Sequence, residues 1–62
     1  MIPENATHIT KEDGLTTYYH IIMDGEDPLA ILVWCEVNQA WCESAYESLE
    51  DFEMDGMELI EL

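Results

Sequence analysis

The pattern of hydrophobic and polar positions first predicts a pair of strands. Residues 16–23 are rich in β-branched and aromatic side chains, and residues 29–37 are apolar on both faces. The segment between them, 24–28 (DGEDP), has the composition of a turn. We therefore expect an antiparallel hairpin with a loop of four or five residues.

From Asn38 onward the spacing of the apolar residues becomes that of a helix. It predicts a helix over residues 39–53, with Asn38 as its N-cap. The apolar positions on one face are Trp41, Cys42, Ala45, Leu49 and Phe52, and the acidic positions opposite them are Glu43, Glu47, Glu50 and Asp51. Gly56 is suited to end this helix. Residues 57–62 alternate loosely and predict a short last strand.

This order of elements predicts the α+β class. We expect one domain over residues 1–62, a ββαβ fold with a three-stranded, mainly antiparallel sheet and one amphipathic helix on one face. The last strand would pair antiparallel with the first. Residues 1–13 show little periodicity and predict a flexible arm. One alternative stays open: Pro28 suits a first helical position, so residues 29–52 could form one long helix or two.

Charge narrows the range of functions more than length does. A chain of 62 residues buries only about 60% of the surface that it exposes when unfolded, which leaves little room for a walled catalytic pocket. It carries 15 acidic residues against one basic residue, Lys11, and its net charge is −14. This charge repels nucleic acid and anionic membranes, and it attracts basic surfaces. We expect no catalytic residues, no direct nucleic-acid binding and no membrane association.

Metal and cofactor sites are not predicted. Cys35 and Cys42 fit no zinc-ligand spacing, and the acidic turn over residues 24–27 lacks the spacing of an EF-hand, although it can extend an acidic surface. With no signal peptide or membrane span evident, we expect a cytoplasmic protein with reduced thiols, and whether the two cysteines pair stays open. Trp34 and Trp41 are expected in the core, or at an interface with a partner or a second copy in a homodimer.

The candidate binding residues are acidic side chains in the second half of the chain. They are Glu36, Glu43, Glu47, Glu50, Asp51 and Asp55. Carboxylates repeating every three or four residues of a helix lie about 4.5–6 Å apart along its axis. A DNA strand places its phosphates on a comparable scale, with one charge per about 3.4 Å of helix axis. The ordinary alternative is a solvated helix face, but such a face normally contains interspersed lysines.

At the level of class, this pattern resembles small phage-encoded inhibitors that imitate DNA, such as anti-CRISPR, anti-restriction and uracil-DNA glycosylase inhibitor proteins. The residues that carry the resemblance are Glu36, Glu43, Glu47, Glu50, Asp51, Glu53, Asp55, Glu58 and Glu61. The order of elements is also similar to that of small phage proteins that block host RNA polymerase. The resemblance implies occlusion of a basic groove in a host protein.

The hypothesis is therefore an inhibitor, most simply of anti-CRISPR type, that binds a basic nucleic-acid-binding protein or ribonucleoprotein by imitating the charge of DNA. The alternative is an inhibitor that binds a host enzyme, such as RNA polymerase or a glycosylase, through apolar contacts.

Overall fold

The computed structural model describes residues 2–62, which form five strands and one helix. In chain order the elements are β1 (His8–Glu12), β2 (Leu15–Asp24), β3 (Asp27–Cys35), β4 (Ala40–Glu43), α1 (Leu49–Met54) and β5 (Leu59–Glu61). The strands form one antiparallel sheet in the order β4-β3-β2-β1-β5. The α+β class is plausible on this architecture, but the prediction of a three-stranded sheet is wrong, because the sheet has five strands.

The first additional strand lies in the segment predicted to be a flexible arm. That prediction is wrong for His8–Glu12, which pairs with β2 on one side and with β5 on the other. The turn to β2 is Asp13-Gly14, and both residues have positive φ (50° and 81°). This is the backbone of a type I′ turn, whose twist matches that of the strands it joins. The arm prediction for Met1 lies outside the described residues.

The predicted hairpin of β2 and β3 is present, with a tighter turn than expected. Asp24 pairs with Asp27, so only two residues connect the strands, and Gly25 has a φ of 68°. A positive φ at the first central position is typical of a type II′ turn. The alternative of a helix from Pro28 onward is wrong, because Asp27–Cys35 is a strand.

The prediction of a helix over residues 39–53 is wrong in its first half. Ala40–Glu43 is a strand paired with β3, and Asn38 lies in the four-residue loop between them instead of capping a helix. In this hairpin Trp41 lies directly opposite Trp34, and their rings contact edge to face with centroids 5.2 Å apart. Aromatic cross-strand pairs stabilise hairpins, and this contact is not available to a helix.

The prediction that the last strand pairs with the strand over residues 16–23 is wrong, because β5 pairs antiparallel with β1, which lies between β5 and β2. Strands β4 and β5 lie at opposite edges of the sheet. The connection through residues 44–58 therefore crosses one face of the sheet and places α1 there. We call this face the helix face and the opposite one the open face.

The core lies between α1 and the helix face. Its buried apolar residues are Tyr19, Ile21, Ile31 and Phe52, and Val33, Tyr46, Leu49 and Leu59 pack around them. Phe52 stacks on Tyr46 (4.1 Å between ring centroids) and meets Tyr19 edge to face (5.1 Å). No helix within residues 2–62 has the length and apolar content needed to cross a membrane.

Candidate partner-binding surface

Within residues 2–62, the acidic residues of the strands lie only at strand ends. The strand acids are Glu12, Asp24, Asp27, Glu43 and Glu61, and each is the first or last residue of its strand. The others lie in turns, in connecting segments or on α1. The negative charge therefore surrounds the sheet at its two ends and covers the segment that crosses the helix face.

Five of the six predicted binding residues lie in one continuous stretch of surface, although no long helix aligns them. Glu43 and Glu47 line the same shallow groove of about 290 Å³. The backbone N–H of Glu47 donates to the Asp51 carboxylate (2.9 Å), and Asp51 and Asp55 line a further groove. We call Glu43, Glu47, Glu50, Asp51 and Asp55 the acidic ridge.

Glu36, the sixth predicted residue, does not belong to the ridge. It lies in the loop between β3 and β4, whereas Glu43 lies at the far end of β4. The charge pattern along the chain groups Glu36 with Glu43, but the β3–β4 hairpin places them at opposite ends of β4.

Acids of the β2–β3 turn extend the ridge at its Glu43 end. Pro28 and Leu29, which directly follow Asp27, line the groove that contains Glu43 and Glu47. Asp24 and Asp27 are cross-strand partners. Like charges placed directly opposite each other on adjacent strands are destabilising, so this pair costs the fold some stability.

Asp51 also stabilises the start of α1 through hydrogen bonds. Its Oδ2 accepts hydrogen bonds from the backbone N–H groups of Glu47 (2.9 Å) and Ser48 (3.1 Å), just before α1 begins. These bonds favour the ionised form and lower the pKa of Asp51 below its usual value. The carboxylate therefore stays charged in mildly acidic solution and holds the start of the helix.

The other end of α1 is fixed in a similar way. The Tyr46 hydroxyl donates to Asp55 Oδ2 (2.8 Å), and this bond, more than burial, raises the pKa of Tyr46 to about 12. Gly56, with a φ of 74°, donates to the carbonyl of Glu53, and Met57 donates to that of Phe52. This is the pattern of a Schellman motif and confirms that Gly56 ends the helix.

Glu47 and Glu50 make no such side-chain bonds within residues 2–62, and both are exposed. Asp51 and Asp55 thus stabilise the two ends of the short helix, whereas Glu47 and Glu50 are free to contact another molecule.

The open face has a different chemistry. Cross-strand pairing aligns Ile60 with Ile9, Ile9 with Tyr18, and Trp34 with Trp41. Continuing the β2–β3 register by one residue places Tyr18 opposite Trp34. We call these five residues the aromatic row; it crosses all five strands.

The residues of the aromatic row are only partly covered. Ile60 is 38% exposed and the other four are half-buried. The expectation that the two tryptophans belong to the core is therefore wrong, since both lie on the open face. Sequence reasoning missed this surface because it placed Trp41 on a helix, although the alternation of β-branched and aromatic residues around Tyr18 and Trp34 was a signal for it.

Cysteines and metal ligands form no evident site. Cys35 and Cys42 are free thiols in the structure. Within residues 2–62, no three His, Cys, Asp or Glu side chains are grouped so that they could hold a metal ion.

The fold and this surface define a small α+β protein with an acidic ridge on one side of its sheet and an aromatic row on the other. Comparisons with protein-family models, with curated proteins and with solved structures found no match to the chain.

Proposed function

We propose that the protein is a non-catalytic inhibitor that binds the basic, nucleic-acid-binding surface of another protein or ribonucleoprotein by presenting carboxylates in place of phosphates. The observation that carries the proposal is the acidic ridge, a continuous set of carboxylates in a chain that has a single basic side chain. Arginine binds a carboxylate and a phosphate alike through paired hydrogen bonds.

The charge of the ridge is not balanced from within. With 15 acids and one base, at least 14 carboxylates lack a lysine or arginine partner in the same chain. Their mutual repulsion destabilises the folded protein. A partner rich in lysine and arginine would relieve this repulsion on binding, and this gain supplies a driving force that an ordinary solvated surface lacks.

The proposed setting is the cytoplasm, where a basic protein and its nucleic acid are both accessible. CRISPR effector complexes are the first targets to test, since they hold nucleic acid in positively charged channels. The test measures displacement of a labelled DNA duplex from purified effector complexes by fluorescence anisotropy. We expect displacement by the wild-type protein that weakens steeply as salt rises, because exposed charges are screened within about 10 Å at 0.1 M salt.

The critical variant is the double reversal Glu47→Lys with Glu50→Lys. Neither side chain holds the fold, and like charges that face each other across an interface repel strongly, so we expect a loss of about thirtyfold or more in affinity. The matched control is Glu36→Lys with Glu58→Lys, which changes the net charge equally at two exposed positions outside the ridge.

Two results would contradict the proposal. If both double variants lose affinity equally, only net charge matters and the ridge is not the binding site. If no purified complex releases its DNA, the target class is wrong. A pull-down from host lysate at low salt, eluted at high salt, would then show whether the captured proteins bind nucleic acid at all.

A further inference from the structure

The open face has the composition of a protein-binding surface. The interior of the sheet on this side contributes apolar and aromatic side chains, while Lys11 and Glu43 are charged residues near its ends. Charged residues are depleted at the centre of protein interfaces, where tryptophan and tyrosine are enriched and where they supply most of the binding energy. The aromatic row is about 19 Å wide, since it spans five strands spaced 4.7–4.9 Å apart.

The fold itself leaves this face without a cover. The helix and its flanking segments pack on the helix face, where they bury Tyr19, Ile21, Ile31 and Phe52. The N-terminal segment reaches the open face at one point, where the Trp41 Nε1 donates to the Glu4 carbonyl (3.3 Å). This bond and the contact with His20 (5.6 Å between ring centroids) fix the orientation of Trp41. The row is thus held in place before any partner binds.

Charge decides what can cover the open face. Three of the strand-end acids, Glu12, Glu43 and Glu61, lie within three residues of a row residue on the same strand, so they border the aromatic row. A second copy would bring two such acidic borders together, with a charge of −14 on each chain. A partner whose apolar patch is bordered by lysine and arginine would instead pair its rim with these acids.

We infer that the aromatic row is a docking site for a basic protein surface that combines an apolar patch with surrounding lysine and arginine. This inference rests on the proposed function and adds to it the apolar centre of the contact. The acids of the ridge and of the strand ends attract the partner, and burial of the aromatic row stabilises the complex.

The experiment uses the tryptophan fluorescence of the whole protein as its readout. Trp34 and Trp41 are the only tryptophans in the chain, and both lie in the row, so their emission reports directly on this face. The probes are a synthetic peptide in which leucine and lysine alternate, and an oligolysine of the same charge. We expect the leucine–lysine peptide to bind about tenfold tighter or more, with a blue shift of the emission.

Substitutions locate the effect on the face. Trp34→Ala should weaken binding of the leucine–lysine peptide about tenfold or more and leave oligolysine binding unchanged. Ile60→Ser, at an edge strand, should act in the same direction with less risk to the fold. The control is Met54→Ala, because Met54 is 82% exposed and lies on α1, on the other side of the sheet from the row. The emission shift of the wild-type protein needs no variant and stands as an independent measurement.

The outcomes separate the two proposals. Equal affinity for both peptides without an emission shift overturns the docking site and leaves charge-driven binding in place. Binding of neither peptide overturns both. A concentration-dependent dimer in sedimentation that Ile60→Ser or Trp34→Ala dissociates would assign the row to a second copy, and this would also overturn the inference.

Discussion

Phe52→Ala is the sharpest test of how the acidic ridge is held in place. The helix has only six residues, too few to be stable alone in water, so it depends on packing against the sheet. Phe52 is the one fully buried residue of α1, with 1% of its surface exposed, and it contacts the rings of Tyr46 and Tyr19.

The expected loss follows from burial. Truncating a buried phenylalanine to alanine costs about 3–5 kcal/mol. The whole domain, at about 0.05–0.15 kcal/mol per residue, has about 3–9 kcal/mol to lose. The variant should therefore be largely unfolded at physiological temperature, or at best marginally stable.

Urea denaturation followed by circular dichroism and by tryptophan fluorescence measures this loss. Met54→Ala is the control, since Met54 lies on the same helix with 82% of its surface exposed, and it should change the free energy of unfolding by less than about 0.5 kcal/mol. A Phe52→Ala protein within about 1 kcal/mol of wild type would refute the reasoning, because the helix would then be held by something other than this contact.

Four further predictions concern the carboxylate of Asp51, the hydroxyl of Tyr46, the backbone at Gly14 and the net charge. Asp51→Asn should lower the free energy of unfolding in neutral solution. In the wild type the contribution of Asp51 should be present above the usual pKa of 3.8 and should be lost as pH falls through the lowered folded-state pKa, as urea titrations at several pH values would show. Tyr46→Phe should lower the free energy of unfolding by about 0.5–1.5 kcal/mol, and it should remove a tyrosine that ionises late in an alkaline absorbance titration. Because the folded-state pKa of Tyr46 is raised to about 12, its contribution to stability is complete below pH 10.0 and is lost as pH rises through the raised pKa. Gly14→Ala should lower the free energy of unfolding, measured by urea denaturation, by about 1–2 kcal/mol, because alanine is strained at a φ of 81°. Added sodium chloride should raise the melting temperature, since it screens the repulsion of a chain with charge −14, and a melting temperature unaffected by salt would contradict the view that this repulsion is costly.

The two candidate surfaces lie on opposite sides of the sheet but share a border. Glu43 ends β4 on the open-face side and also lines the groove that contains Glu47. A single partner could therefore cover the aromatic row and reach the near end of the ridge around the β4 edge. The Glu47 and Glu50 reversal and the Trp34 substitution test the two surfaces separately.

The sequence contains a local signal for the start of α1. Ser48-Leu49-Glu50-Asp51 has the S-x-x-D spacing of a helix start, which places the first turn where the structure has it. Asp13-Gly14 between β-branched residues is likewise a strong hairpin signal. Both were obscured by longer-range patterns: an apparent helical period through Trp41, and the weak periodicity of the first residues.

The sequence by itself determined the charge of the protein, the β2–β3 hairpin, the end of the helix at Gly56 and the existence of a short last strand, because these depend on composition and on local backbone preferences. Only the tertiary structure decided that residues 40–43 are a strand, that Trp34 and Trp41 share an open face, and that Glu36 lies apart from the other predicted acids. The physical reason is that an apolar residue at a given spacing can face either side of a sheet or one side of a helix. Pairing between strands, here of β4 with its neighbour β3 and of β1 with the distant β5, selects among these options.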